Sequence, residues 1–69
     1  MKPQTKRVLA LLKRRSLTPA EAREWVGSDR LAARIREIRQ AYGYASVERR
    51  WEPHPEGRHA RYLWRGDAR

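Results

Sequence analysis

Leu31, Ile35, Ile38 and Tyr42 recur at intervals of four, three and four residues. Wound at about 100° per residue, they form one narrow apolar stripe on a helix spanning 29–42. The opposite face carries Asp29, Ala33, Arg36, Glu37 and Gln40, with Arg30 beside it and Arg34 and Arg39 flanking the stripe. Such a helix lays its apolar side on a small core and leaves most of its guanidinium groups in water. The segment before it is a compact helix start, Thr18-Pro19-Ala20-Glu21. Thr18 caps, Pro19 takes the first helical position where its missing N–H is no loss, and Glu21 reaches back to close a capping box. This helix runs over 19–26 and ends at Gly27, which can take the positive φ of a helix stop. Two helices joined at a glycine, the second one basic on its outer face, read as a helix-turn-helix, with double-stranded DNA as the leading partner. The small residue usual in that motif falls one place off, on Ala22 rather than Arg23.

The rest of the chain completes a recognisable layout. A first helix is expected over 4–15, opened by Pro3, with Val8, Leu11 and Leu12 on one face, Leu9 at its edge, and Arg14 and Arg15 at the negative end of its dipole. Ser28 or Asp29 is the expected cap of the third helix and Gly43 its stop. Beyond Gly43 the period becomes two. Ala45, Val47, Arg49 and Trp51 alternate with Tyr44, Ser46, Glu48 and Arg50; Pro53-His-Pro-Glu-Gly57 is a turn by composition; Ala60, Tyr62 and Trp64 alternate again. The expectation is a mainly α domain with a β-hairpin: three helices, then a two-stranded wing over 45–52 and 59–65. That is a winged helix-turn-helix over residues 1–65, with a flexible tail at 66–69. Val8, Leu12, Trp25, Leu31, Ile35, Ile38, Val47, Tyr62 and Trp64 are the expected core.

Composition narrows the function. Sixty-nine residues make one domain with little room for a deep substrate pocket. A net charge of +9 asks for an anionic partner, and the charge is uneven: residues 1–15 hold six cations and no acid. No cysteine is present, which excludes disulfides and thiolate metal sites and fits a cytoplasmic setting. No apolar run is long enough for a membrane span and no signal peptide is visible. No nucleophile–base arrangement, phosphate-cradling loop or paired carboxylates point to an enzyme, a small-molecule substrate or a cofactor. His54 and His59 lie five apart across the turn with only Glu52 and Glu56 nearby, so no metal is expected.

For DNA, the residue types sort by role. Arg30 and Arg36 are candidates for base edges, since arginine can bond O6 and N7 of guanine. Glu37 and Gln40 are further base-edge candidates, and Ala33 leaves room for close approach or a thymine methyl. Lys6, Lys13, Ser28, Arg34 and Arg39 are candidates for the phosphate backbone. In the wing, Arg49, Arg50, Arg58 and Arg61 surround the turn, where arginine is favoured over the minor groove. The aromatic residues Trp25, Trp51, Trp64, Tyr42, Tyr44 and Tyr62 are read as core filling before base stacking, with Trp51, close to the hairpin tip, the one best placed to stack.

Thr5-Lys-Arg-Val-Leu-Ala-Leu-Leu-Lys13, Leu17-Thr-Pro-Ala-Glu-Ala22 and Arg30-Leu-Ala-Ala-Arg-Ile-Arg-Glu-Ile-Arg39, followed by Tyr42-Gly43 and a hairpin, resemble a family of small winged helix-turn-helix proteins of bacteriophages and prophages. The resemblance spans residues 4–64. It implies DNA binding in transcriptional control or as an accessory factor in recombination, in the bacterial nucleoid or an infected cell. The chain departs from that family's pattern after Gly43, where the first strand starts one residue late, at Ser46-Val47, and the Pro-His-Pro turn is unusual. Two other readings use the same basic surface: a phage module that binds a host or defence protein, and a binder of RNA or single strands. A single winged domain often lacks specificity alone, which leaves room for a homodimer or for a partner protein of phage or host.

Overall fold

The computed structural model describes residues 1–69. Three helices, α1 (Pro3–Leu12), α2 (Pro19–Val26) and α3 (Leu31–Tyr42), precede a 3-10 turn at Tyr44–Ser46 and two antiparallel strands, β1 (Val47–His54) and β2 (Gly57–Trp64). This is the winged helix-turn-helix layout the periodicities predict. Leu17 adds a one-residue bridge to the free edge of β2. Its N–H donates to Tyr62 O at 2.9 Å, and the Tyr62 N–H returns to Leu17 O at 2.7 Å.

That bridge explains where α1 stops. The expected helix ran to Arg15, but it ends at Leu12, with Lys13 as its C-cap, and the chain turns out of it so that Leu17 meets the sheet. The capping box of α2 is complete: Thr18 Oγ1 accepts from Glu21 N at 3.2 Å and Glu21 Oε1 accepts from Thr18 N at 3.0 Å. Gly27 ends α2 in the left-handed region, at φ 68°. α3 starts later than expected. Neither Ser28 nor Asp29 caps it; Arg30 stands at the N-cap position and makes no side-chain cap bond. Ser28 is buried, and its N–H closes the end of α2 on Ala22 O at 3.2 Å.

The hairpin is longer toward its tip than the sequence predicts. Its register pairs Val47 with Trp64, Trp51 with Ala60 and His54 with Gly57, leaving only Pro55 and Glu56 in the turn. Pro53 lies inside β1, which is possible because β1 is an edge strand and a proline there forfeits no ladder bond.

The core is Val8, Leu9, Leu12, Leu17, Ala22, Leu31, Ile35, Ile38, Val47, Ala60 and Tyr62, with Leu11, Val26, Tyr42 and Trp64 packed against it half-buried. Trp64 meets Tyr42 edge-on, at 5.4 Å between ring centres. One expected core residue is outside: Trp25 is 41% exposed, with the Arg15 guanidinium 4.0 Å from its ring centre. Residues 66–69 lie against the end of α3. Ala68 N donates to Tyr42 O at 2.7 Å, and a Cβ on Gly43, at φ 96°, would stand 2.7 Å from Ala68 O.

Candidate nucleic-acid interface

α3 turns three sides outward, and each has a different character. Its central ridge carries Arg36 and Gln40, both exposed, with Ala33 half-buried one turn before Arg36 and Arg30 exposed at the N-terminal end. On the wing side, Ala32, Ile35, Arg36, Arg39 and Gln40 form one wall of an open groove whose other wall is Tyr44, Arg49 and Tyr62. On the α1 side, Gln40 and Ala41 face Lys2 and Met1. Lys6 and Lys13 continue this border beside Tyr42, with Lys13 Nζ 5.7 Å and 5.4 Å from the Tyr42 and Trp64 ring centres. Arg30 lines a small depression with Gln4, Gly27, Ser28, Asp29 and Arg34 at the start of the helix.

Several residues expected to reach DNA are committed elsewhere. Glu37, expected at a base edge, faces α1: its Oε2 accepts from Thr5 Oγ1 at 2.6 Å and its Oε1 meets Arg34 Nη2 at 2.8 Å. The Thr5 hydroxyl, with help from Arg34 and Lys2, holds its carboxyl below the usual range. Arg34, expected on the phosphate backbone, is thereby drawn inward and largely buried. Arg39 donates from Nη2 to Val47 O at 2.7 Å, tying the end of α3 to the start of β1, and its guanidinium lies 4.3 Å from the ring centre of Tyr44. Ser28, expected to hold a phosphate, is only 3% exposed.

The hairpin sorts its arginines by face. Side chains alternate along a strand, and directly paired residues share a side. The register therefore puts Glu48, Arg50, Glu52, His59 and Arg61 on one face. There every cation is neutralised. Arg50 Nε donates to Glu48 Oε2 at 2.6 Å, Arg65 Nε to Glu48 Oε1 at 2.6 Å, and Arg61 Nε to Glu52 Oε2 at 2.6 Å. Arg61 Nη1 also reaches Ser16 Oγ and Glu21 Oε1, both at 3.1 Å. His59 Nε2 lies 2.9 Å from Glu52 Oε1. These bonds lower the Glu48 and Glu52 carboxyls and raise Arg61. Arg50 and Arg61, expected as wing contacts, are thus paired with carboxylates of the protein itself. The other face holds Val47, Arg49, Trp51, Arg58, Ala60 and Tyr62. Arg49 and Arg58 have no carboxylate within salt-bridge distance, so of the four wing arginines these two remain free.

Two residues in and beside α3 escaped the sequence reading. Ala32 lines the groove; its spacing of four from Arg36 is the sequence signal for it. Tyr44, treated in sequence as core filling, is 75% exposed, and nothing local marks it, because its exposure depends on where the hairpin leaves α3. Trp51, set apart from the other aromatics by its place near the hairpin tip, is 52% exposed. No group of three or more His, Cys, Asp or Glu is positioned to hold a metal, and no helix is long and apolar enough to cross a membrane.

The sequence model of the winged helix-turn-helix domain matches residues 3–65. No curated protein and no solved structure matches the chain. With three helices, a glycine-ended α2, an exposed α3 ridge and a two-stranded wing in place, the chain belongs to the winged helix-turn-helix domain family.

Proposed function

We propose that the chain binds double-stranded DNA, with α3 in the major groove and the wing against the adjoining backbone. The observation that carries this reading is the partition of charge. Arg34, Arg50, Arg61 and Arg65 are held by carboxylates, whereas Arg30, Arg36 and Arg49 have no such partner and line the surface of α3 and its groove, and Arg58 stands equally free farther out on the wing. Arg36 offers the two parallel donors that match guanine, and Gln40 a donor and acceptor that match adenine. Ala32 and Ala33 keep the ridge low enough for the helix backbone to approach. Lys6 and Lys13 on one border, and Arg49 and Arg58 on the other, meet phosphates on either side.

The domain acts by occupancy, without a cofactor or a reaction. The phage and prophage resemblance favours a transcriptional regulator or a recombination accessory factor in the cytoplasm, and a homodimer or partner protein would extend its site.

Selection of bound duplexes from a random pool tests the reading. The parent should return a consensus. Arg36→Ala should fold normally and relax that consensus at one or two positions, with a loss of about 1–3 kcal/mol at a guanine contact. No duplex binding at low salt would transfer the surface to a protein partner.

A further inference from the structure

Trp51 is an exposed indole in the wing of a basic protein, and its neighbours explain its presence. The register pairs it with Ala60, whose small side chain leaves the ring room to stand up from the sheet. Arg49, two residues back on β1, places its guanidinium carbon 5.3 Å from the ring centre. Arg58, two pairs nearer the tip on β2, places its own at 4.6 Å. The two arginines thus reach the ring from opposite ends of the strand direction. Arg49 also lines the groove beside α3, so this row continues the α3 surface outward to the wing tip.

We infer that Trp51 is a positioning residue that locks Arg49 and Arg58 into one rigid pair of cations, laid across the minor groove beside the α3 site and tuned to a narrow, A·T-rich groove. The inference rests on the DNA-binding reading above. Free arginines lose side-chain freedom on binding, and stacking on an indole removes part of that loss beforehand. Narrow minor grooves concentrate negative potential and attract arginine, so a fixed pair of guanidiniums reads groove width without bonding any base. With two guanidiniums already within 5.3 Å of its ring centre, Trp51 is less free to stack on an unpaired base, which argues against a single-strand ligand.

The test uses the full chain and labelled duplexes with one fixed centre, flanked by AAATTT or by GGGCCC. The parent should favour the A·T flanks. Trp51→Leu should erase that preference and weaken binding to the A·T duplex about fivefold to tenfold, as expected for two exposed cation–π contacts. It should also make the salt slope shallower by up to about 1.8, the share of two phosphates. Trp51→Phe, which keeps an aromatic face, should restore most of both. Adding Arg49→Ala and Arg58→Ala to Trp51→Leu should cost little more. Equal treatment of the two flanks by the parent, full binding by Trp51→Leu, or losses that simply add would each overturn the inference. So would a parental preference for single strands that Trp51→Leu abolishes, since the ring would then be stacking on bases. Failure of the parent to bind any duplex would overturn the DNA reading itself, and shows before any variant is compared.

Discussion

Glu37 and Arg36 are neighbours in sequence with opposite fates. Glu37 is bound on both oxygens, by the buried Thr5 hydroxyl and by Arg34, while Arg36 stands exposed with no carboxylate partner. A helical wheel places both on the polar face, and only the packing of α1 against α3 separates them. The bonds to Glu37 favour its charged form and hold its pKa below the usual 4.5. A carboxylate depressed in this way contributes stability that is fully present above its unfolded value and is lost as pH falls through the lower folded one. Glu37→Gln should therefore lower the urea midpoint at neutral pH and flatten its fall below pH 4.5, while leaving the selected DNA consensus unchanged. An altered consensus with an unchanged acid limb would return Glu37 to the reading surface. Trp25 makes the same point from the apolar side. Its residue type argues for the core, yet it lies on the surface under Arg15, and the residue that α2 buries completely is the small Ala22.

At the scale of elements, the sequence is most legible where local chemistry decides. The α2 box, the Gly27 stop and the stripe of α3 are each made by residues a few positions apart, and α2 lies on the bounds they predict. Elements drift where a distant partner decides. α1 ends early because Leu17 is claimed by Tyr62, β1 runs on through Pro53 because its outer edge needs no N–H, and α3 starts at Leu31 because Ser28 closes α2. The candidate interface was legible in its helix and half legible in its wing: no spacing tells that Glu48 and Glu52 take Arg50, Arg61 and Arg65 and leave Arg49 and Arg58. One coupling between elements is measurable. Glu21 Oε1 accepts both from Thr18 N, inside the cap, and from Arg61 Nη1, on the hairpin. Thr18→Ala should cost about 1 kcal/mol as a lost cap. Glu21→Ala, which removes the carboxylate itself, combined with Arg61→Ala should depart from additivity by about 0.5 kcal/mol or more, since Arg61 donates to that carboxylate. Strict additivity in a denaturation cycle would mean the hairpin and the start of α2 are energetically independent.

For the whole molecule, the question is how much of the +9 charge is aimed at one ligand. Six of the seventeen Lys and Arg residues sit within salt-bridge distance of a carboxylate: Arg23, Arg34, Arg50, Arg61, Arg65 and Arg69. The others divide between the surroundings of α3 and the wing on one hand and the outer side of α1 on the other. On α1, Arg7 lies well round the helix from Thr5, Val8 and Leu12, which face the core, whereas Lys6 and Lys13 border Tyr42. A duplex seated on α3 and the wing should meet Lys6, Lys13, Arg30, Arg49 and Arg58 and leave Arg7 and Arg14 in solvent. About five phosphate contacts give a slope of log K against log salt near −4.5. Arg7→Ala with Arg14→Ala should leave that slope nearly unchanged. Arg49→Ala with Arg58→Ala should make it shallower by about 1.8. A parental slope near −8, reduced equally by either pair, would instead show that the whole basic surface adsorbs to DNA through its net charge. The asymmetry between the two pairs, more than the size of the slope, is what separates an oriented reader from a polycation.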